Sequence, residues 1–583
     1  MTSPNDTYTS PLAERNASPE MLRLWSPRHK FNTWRRIWLA VAEAQHEISA
    51  GWGGTSGTAS SAPLVTREQV DELRSVVERK HPDGSVGITD AEIELAKKYE
   101  RELRHDVMSH VHALGDACPK AKGIIHLGMT SQDVVCNADI LVFNEALRLI
   151  VIKLMRALAT LGDQAQRHAG VPTLGYTHYQ AAQPCTVGRR LSQWAYELYI
   201  VYERVSGAWT LMPLDRMRGL RGATGTQAAF LSLLFNNQAG VDELEARFVE
   251  ELLEGWSSDT FSDEGLRHTQ QLAVDSARED SARAAAEGKG GIAEAYDSLS
   301  KQEAAVPPDR LRQQLIDRIR HHNTYDLTTQ TYPRVIDTFI LADLASVACV
   351  LHKIATDIRL LCNRKELDEP FEDKQIGSSA MPYKRNPMRC ERICGLTRFV
   401  MNLVGNAYDT AATQWLERTL DDSSNRRLSL PEAFLALDGA LDLMHNVASG
   451  LVVHEATVRK NLMAELPFMA TENLLMECVK LGGDRQEYHE LIRRHAQAAG
   501  MRVKQEGLDN DLIDRLKGDR HFRGAARGGP LRDELNWDGL LDPMKYVGRS
   551  VEQTERFIRE VVEPLREQYG DAIAKLGDSG PKV

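Results

Sequence analysis

The chain has 583 residues, 42% of them hydrophobic and 26% charged, with a formal net charge of -11. That size and balance describe a globular protein of a few domains with room for a large core. The negative charge argues against broad nucleic-acid binding and against attraction to an anionic membrane surface, although a few arginines can still focus a positive field inside a cleft.

The opening MTSPNDTYTSPLAERN has no basic region followed by an apolar run, so no secretory signal is expected. Phe31, Trp34, Trp38 and Val41 then recur at helical spacing. Arg104-His105-Asp106 follows, with His110 and His112 close behind. His105 and His112 could share a helix face, which raises the question of a metal. Suitably spaced cysteine and carboxylate partners are missing, so no metal site is expected. This helical head, residues 1–130, ends near His126-Leu127-Gly128-Met129-Thr130-Ser131.

A middle region, residues 131–453, carries the long periodic segments. Ile140 to Ala169 reads as one helix and Thr186 to Trp209 as another. Between them Thr177-His178 lies in Gly175-Tyr176-Thr177-His178-Tyr179-Gln180. A lone histidine in such a turn is more often structural, yet histidine is the side chain best suited to moving protons near neutral pH. Gly222-Ala223-Thr224-Gly225-Thr226 is more often a tight turn than a ligand cradle. Residues 255–312, charged and rich in alanine and glycine, read as an insertion, partly helical and partly flexible. Val335 to Cys362 is apolar nearly all round; Asp337, Asp343 and His352 interrupt it, so a buried bundle helix is expected rather than a membrane span.

The stretch Gly377-Ser378-Ser379-Ala380-Met381-Pro382-Tyr383-Lys384-Arg385-Asn386-Pro387 is the most informative. Asn386 suits an N-cap and Pro387 a first helical position. Exposed N–H groups before a helix, with Lys384 beside them, favour a carboxylate or another anion. Further on, Arg418-Thr419-Leu420-Asp421-Asp422-Ser423-Ser424-Asn425-Arg426-Arg427 gathers arginine forks and hydroxyls of the kind a phosphate monoester requires. A salt-bridged turn would account for that composition equally well. A smaller helical region, 454–583, closes the chain; its His489-Glu490 and His495 miss the H-E-x-x-H spacing and read as a solvated helix face. Strand-like alternation is scarce throughout, so the fold class expected is all-α, in three helical domains. The eight cysteines form no C-x-x-C pair, which points to reduced thiols and a cytoplasmic setting.

The GSSAMPYKRNP loop, RHDVMSHVHALG from Arg104, GIIHLGMTSQD from Gly123, PTLGYTHYQ from Pro172, QWLERTLDDSSNRR from Gln414 and ELPFMATEN from Glu465 together resemble the fumarase/aspartase superfamily, over nearly the whole chain apart from 255–312. Within it they are similar to the branch that cleaves adenylosuccinate. The resemblance implies a homotetramer built on a central helix bundle, with each site assembled from three subunits and needing neither cofactor nor metal. It implies β-elimination of fumarate from adenylosuccinate to leave AMP, and from the succinyl-carboxamide ribotide SAICAR to leave AICAR.

By that pattern Ser378 is the base and His178 the acid, and Thr177 and Ser379 beside them bind substrate. Lys384 and Asn386 hold the developing charge, and His105 orients the substrate. Arg15, Arg104, Asp106, Thr130, Ser131, Gln330 and Arg392 match substrate-binding positions, and Arg418, Ser423 and Arg427 a set that includes phosphate contacts. Asn16 falls at a further substrate-binding position, where the pattern commonly has tyrosine. Argininosuccinate lyase, fumarase and aspartase share the serine loop but need no phosphate site.

Overall fold

The computed structural model describes residues 6–51, 63–206, 216–253, 263–286, 288–304 and 306–577. Helix accounts for 69% of the chain. The head is built on α1 (Pro27–Gly51), α2 (Asp90–Leu103) and α3 (Asp106–Ala117), with Trp34 and Trp38 of α1 almost wholly buried. A Thr89/Glu92 capping box starts α2: Thr89 Oγ1 accepts the Glu92 N–H at 3.2 Å and Glu92 Oε2 accepts the Thr89 N–H at 2.8 Å.

The bundle follows. α4 (Ser131–Arg167) leads into the hairpin β1 (Pro172–Thr177) and β2 (Gln180–Thr186), and then α5 (Val187–Val205). Next come α6 (Val335–Asn363), α7 (Met388–Ala412) and α8 (Asp421–Ser449). α6 packs on α5, α7 and α8, and α4 packs on α5 and α8, closing one continuous core. The most apolar window of α6 has a mean hydropathy of 1.8, yet only 56% of it is buried within the chain. Along its length α6 exposes Val335, Phe339 and Leu360, while α5 exposes Tyr196 and Ile200 and α7 exposes Phe399 and Tyr408.

The 255–312 segment is more helical than its composition suggests, with helices over Asp263–Ala286 and Gly290–Ala304 packed on each other and Pro308–Asn323 packed on Gln238–Leu252. Residues 207–209, the end of the expected Thr186–Trp209 helix, lie outside the described residues. A second, smaller core gathers Leu474, Leu491, Leu512, Phe522, Leu531 and Leu540, while Ile558, Val562 and Leu565 pack back on the main core. A second two-stranded ladder, β3 (Leu367–Asp368) with β4 (Val452–Val453), ties the segment before the serine loop to the end of α8.

Candidate active site

Arg104 closes α2 in the left-handed conformation (φ 55°), its N–H bonded to the Glu100 carbonyl at 2.8 Å. This turn throws His105 into extended backbone as the N-cap of α3, where its Nδ1 accepts the Met108 N–H at 3.3 Å. An accepting Nδ1 leaves the proton of the neutral ring on Nε2, which lies 3.4 Å from Ser131 Oγ at the start of α4. His105 therefore shares no helix face with His112, contrary to the spacing. His110 is core: it stacks on Phe31 at 3.7 Å, and burial, with help from Arg35 and Lys30, drives its pKa down to about 4.

The next residue, Asp106, meets the other end of the sequence. Arg427 Nη2 donates to its Oδ2 at 2.6 Å. Burial acts to raise the Asp106 pKa, but the hydrogen bond and charge of Arg427 outweigh it and hold the carboxyl below its ordinary range. Lys30 of α1, which carried no signal in the sequence, joins this group. Its Nζ lies 4.9 Å from the Trp34 ring centre, and burial followed by the charge of Arg427 pushes its pKa down against Asp139 and Asp106.

The start of α8 sorts the Arg418–Arg427 stretch into two kinds of residue. Ser423 and the exposed Arg427 stand one turn apart on one face of its N-terminal end, where the helix dipole favours an anion. Arg426 is the opposite case: it is buried and donates to Asp337 Oδ2 at 2.6 Å, to Asp139 Oδ2 at 3.0 Å and to the Tyr332 hydroxyl. Arg418 is also engaged, with Asp422 Oδ1 at 2.9 Å and the Thr419 carbonyl at 2.9 Å, and Arg334 holds the other oxygen of Asp422. Pro431 has no N–H for the Arg427 carbonyl, so the helix ladder is interrupted where that side chain projects. The Gln330 N–H bonds to the Glu417 carbonyl at 3.2 Å, which brings this candidate beside Arg418.

Thr130 and the Gly222–Thr226 loop are organised by one buried carboxylate that sequence reasoning missed. Asp133 accepts the Thr130 N–H at 2.7 Å, the Arg221 N–H at 2.9 Å, the Gly222 N–H at 3.1 Å and the guanidinium of Arg218. The glycine/threonine loop is thus a turn clamped to the start of α4 beside Ser131.

The serine loop departs from expectation at its helical end. α7 begins at Met388 with Pro387 as its N-cap residue. The carboxamide of Asn386 instead donates to the Gly377 carbonyl at 2.7 Å. Gly377 is required there, since a Cβ would lie 2.2 Å from the Lys384 carbonyl oxygen. The first free N–H groups of α7 are already taken: buried Glu369 accepts those of Arg389 and Cys390 at 2.9 and 3.0 Å. Any anion-holding capacity therefore lies in the loop itself, where Ser379 and Lys384 are exposed and Ser378 Oγ accepts the Met381 N–H at 3.1 Å.

His178 sits at the tip of the β1–β2 hairpin. Thr177 pairs with Gln180 across a two-residue loop in which His178 (φ 52°) and Tyr179 (φ 56°) are both left-handed. This is the turn geometry whose twist suits a hairpin, held here without glycine. Thr177 and His178 are exposed. One pair below the tip, Tyr176 donates to Glu366 at 3.3 Å, and Asn461 anchors the same carboxylate at 2.8 Å.

Arg15 ends a short helix, Pro11–Arg15, and stands near Arg392 of α7, whose pKa is lowered by burial first and then by Arg15 and Arg389. The Asn16 carboxamide donates to the Pro11 carbonyl at 2.8 Å, closing this turn; its side chain serves its own helix. The chain thus brings together Arg104, His105, Asp106, Thr130, Ser131 and Arg427. Among the described residues no hydrogen bond or ion pair joins His178 or Ser378 to that group. His495, expected to be solvated, bonds to Asp519 at 2.9 Å.

The family model "Lyase" matches residues 64–244 and 300–402, and "Adenylosuccinate lyase C-terminus" matches 467–557. The fold overlays on 3-carboxy-cis,cis-muconate lactonizing enzyme from Pseudomonas putida with a TM-score of 0.64 at 22% identity, covering 95% of this chain and 99% of that one. It overlays on a fumarate lyase from Mesorhizobium sp. BNC1 with the same TM-score at 18% identity, covering 95% and 99%. The family matches, on a fold of this kind, make the chain a lyase of the fumarase/aspartase class.

Adenylosuccinate lyase of Schizosaccharomyces pombe is 41% identical over 98% of both chains, and that of Saccharomyces cerevisiae is 39% identical over 98% of this chain and 99% of its own. The chain belongs to the adenylosuccinate lyase family.

Proposed function

We propose that the protein eliminates fumarate from adenylosuccinate, leaving AMP, and from SAICAR, leaving AICAR. The observation that carries this reading is the meeting of Arg427, Asp106, His105 and Ser131, four residues from three distant segments. An exposed arginine with Ser423 at a helix N-terminus gives a phosphate both charge and N–H donors. Arg418, tied to Asp422, shapes that end.

Removing a proton next to a carboxylate builds a dianionic aci-carboxylate, so the reaction needs a base and a preorganised anion cradle. Ser378 takes the proton. The Met381 N–H aimed at Ser378 Oγ favours its anionic form, and Lys384 adds positive charge from the same loop. Asn386 keeps the loop closed on Gly377, and loop N–H groups hold the carboxylate that becomes fumarate. His178 protonates the departing nitrogen. Arg15, Arg104, Thr177, Gln330, Ser379 and Arg392 complete the substrate contacts.

His178 and Ser378 project from different parts of the fold, and an apolar surface lies open along α5, α6 and α7. Both features support a homotetramer whose sites are completed by neighbouring copies. Eight unpaired cysteines support a cytoplasmic setting. The separate small core between Leu474 and Leu540 supports a helical domain over 454–583, beside domains at 1–130 and 131–453. The reading is tested by incubating the protein with adenylosuccinate and detecting fumarate and AMP in equal amounts. Loss of both products in Ser378→Ala is expected; undiminished turnover by that variant would remove Ser378 as the base.

A further inference from the structure

Gly439 stands in the interior of α8, where glycine costs a helix about 1 kcal/mol relative to alanine. The packing around it shows what requires a glycine. A Cβ at this position would lie 2.6 Å from the Asn16 backbone oxygen and 2.9 Å from its carbonyl carbon. Its neighbour Asp438 is fully buried, and Oδ2 accepts the Ser18 N–H at 2.6 Å. Lys153 of α4, itself buried, pairs with Asp438 and also with Asp442 at 2.8 Å, so the Asp438 carboxylate is fixed from behind. Two consecutive residues of α8 therefore grip the arm on either side of the fully buried Ala17.

The arm so held carries Arg15. Arg15 is exposed and near enough to Arg392 for its charge to help lower the Arg392 pKa. Like charge gives Arg15 no attraction to Arg392, so other contacts hold the arm in place, Leu12 against the main core among them. The Asn16 carboxamide is turned back on Pro11 and supplies no tether to the bundle. The backbone contacts at 16 and 18 do.

We propose that Gly439 and Asp438 are positioning residues for Arg15, forming a backbone dock that keeps its guanidinium beside Arg392 for binding the anionic substrate. The inference rests on the proposed lyase reaction only for the purpose of the arm; the dock itself is a separate claim. Gly439→Ala tests it, with its melting temperature measured alongside. Limited trypsin digestion followed by mass spectrometry reads cleavage after Arg15. Cleavage should be several-fold faster in Gly439→Ala than in the wild type, and an unchanged rate overturns the dock.

In steady-state assays Gly439→Ala should raise the KM for adenylosuccinate about ten-fold with kcat nearly kept, equivalent to about 1.4 kcal/mol of binding. It should add nothing further in an Arg15→Ala background. Additive effects, or a fall in kcat with KM unchanged, contradict the proposal. Asp438→Asn retains an acceptor for the Ser18 N–H and should resist trypsin like the wild type, whereas Asp438→Ala should be cleaved like Gly439→Ala. A wild-type protein inactive on adenylosuccinate would defeat the proposed reaction, and the trypsin rates alone would then decide the dock.

Discussion

Arg427 of the bundle donates to Asp106 of the head at 2.6 Å, across 321 positions of sequence. The pair joins the residue best placed to bind a phosphate to the carboxylate that follows His105. It is exposed enough for a ligand to reach, so its worth lies in recognition more than in stability.

Arg427→Ala should therefore raise the KM for adenylosuccinate by about ten- to a hundred-fold, the range for losing a charge-assisted hydrogen bond. Arg427→Lys should restore only part of it, because an ammonium cannot present two parallel donors. Steady-state kinetics on the purified variants decide this; an unchanged KM would speak against a phosphate subsite at the start of α8.

The adjacent arginine should behave in the opposite way. Arg426 is buried among Asp337, Asp139 and Tyr332. Arg426→Ala leaves those acids unpaired and should destabilise the fold by about 3–5 kcal/mol, while Arg427→Ala should change stability by less than about 1 kcal/mol. Urea denaturation followed by circular dichroism separates the two. Equal losses would mean that the exposed and buried arginines are misassigned.

That contrast shows how far the sequence could be read. Helical periodicity made the bundle legible, and the serine loop, RHD and TH segments stood out by composition. Which of two neighbouring arginines faces solvent was not legible, because Asp337, Asp139 and Tyr332 reach Arg426 only through the fold. Glu369 left no mark for the same reason, since its N–H partners lie beyond a loop; Asp133 caps its own helix from Thr130, but its bonds to Arg218, Arg221 and Gly222 arise only through the fold. Asn386 followed by proline looked like a helix cap, and the local rule lost to a hydrogen bond that closes the loop on Gly377. Lys30 was hidden in an amphipathic helix, where a lysine is ordinarily a solvated residue.

His178→Ala and Ser378→Ala should each lose most turnover while eluting from a size-exclusion column like the wild type. If each site draws the two residues from different subunits, mixing the variants under conditions of subunit exchange should restore part of the activity. Verified hybrids that stay inactive would show that one chain supplies both groups.

The buried histidine gives a pH dependence with a definite sign. His110 has a folded pKa of about 4 against an ordinary 6.5, so between these values it binds fewer protons folded than unfolded. Its contribution to stability is full above about pH 6.5 and is lost as the pH falls toward 4. His110→Phe keeps the stack on Phe31 and removes an Nδ1 that has no hydrogen-bond partner. Melting temperatures between pH 7 and 4.5 should fall less steeply in this variant than in the wild type; parallel curves would exclude His110 as the titrating group.

The most direct test of the whole account is fumarate release by the wild-type protein from adenylosuccinate, argininosuccinate, malate and aspartate assayed side by side. Rapid release from adenylosuccinate is expected, with none above background from the other three. No release from adenylosuccinate, or faster release from argininosuccinate, would contradict it.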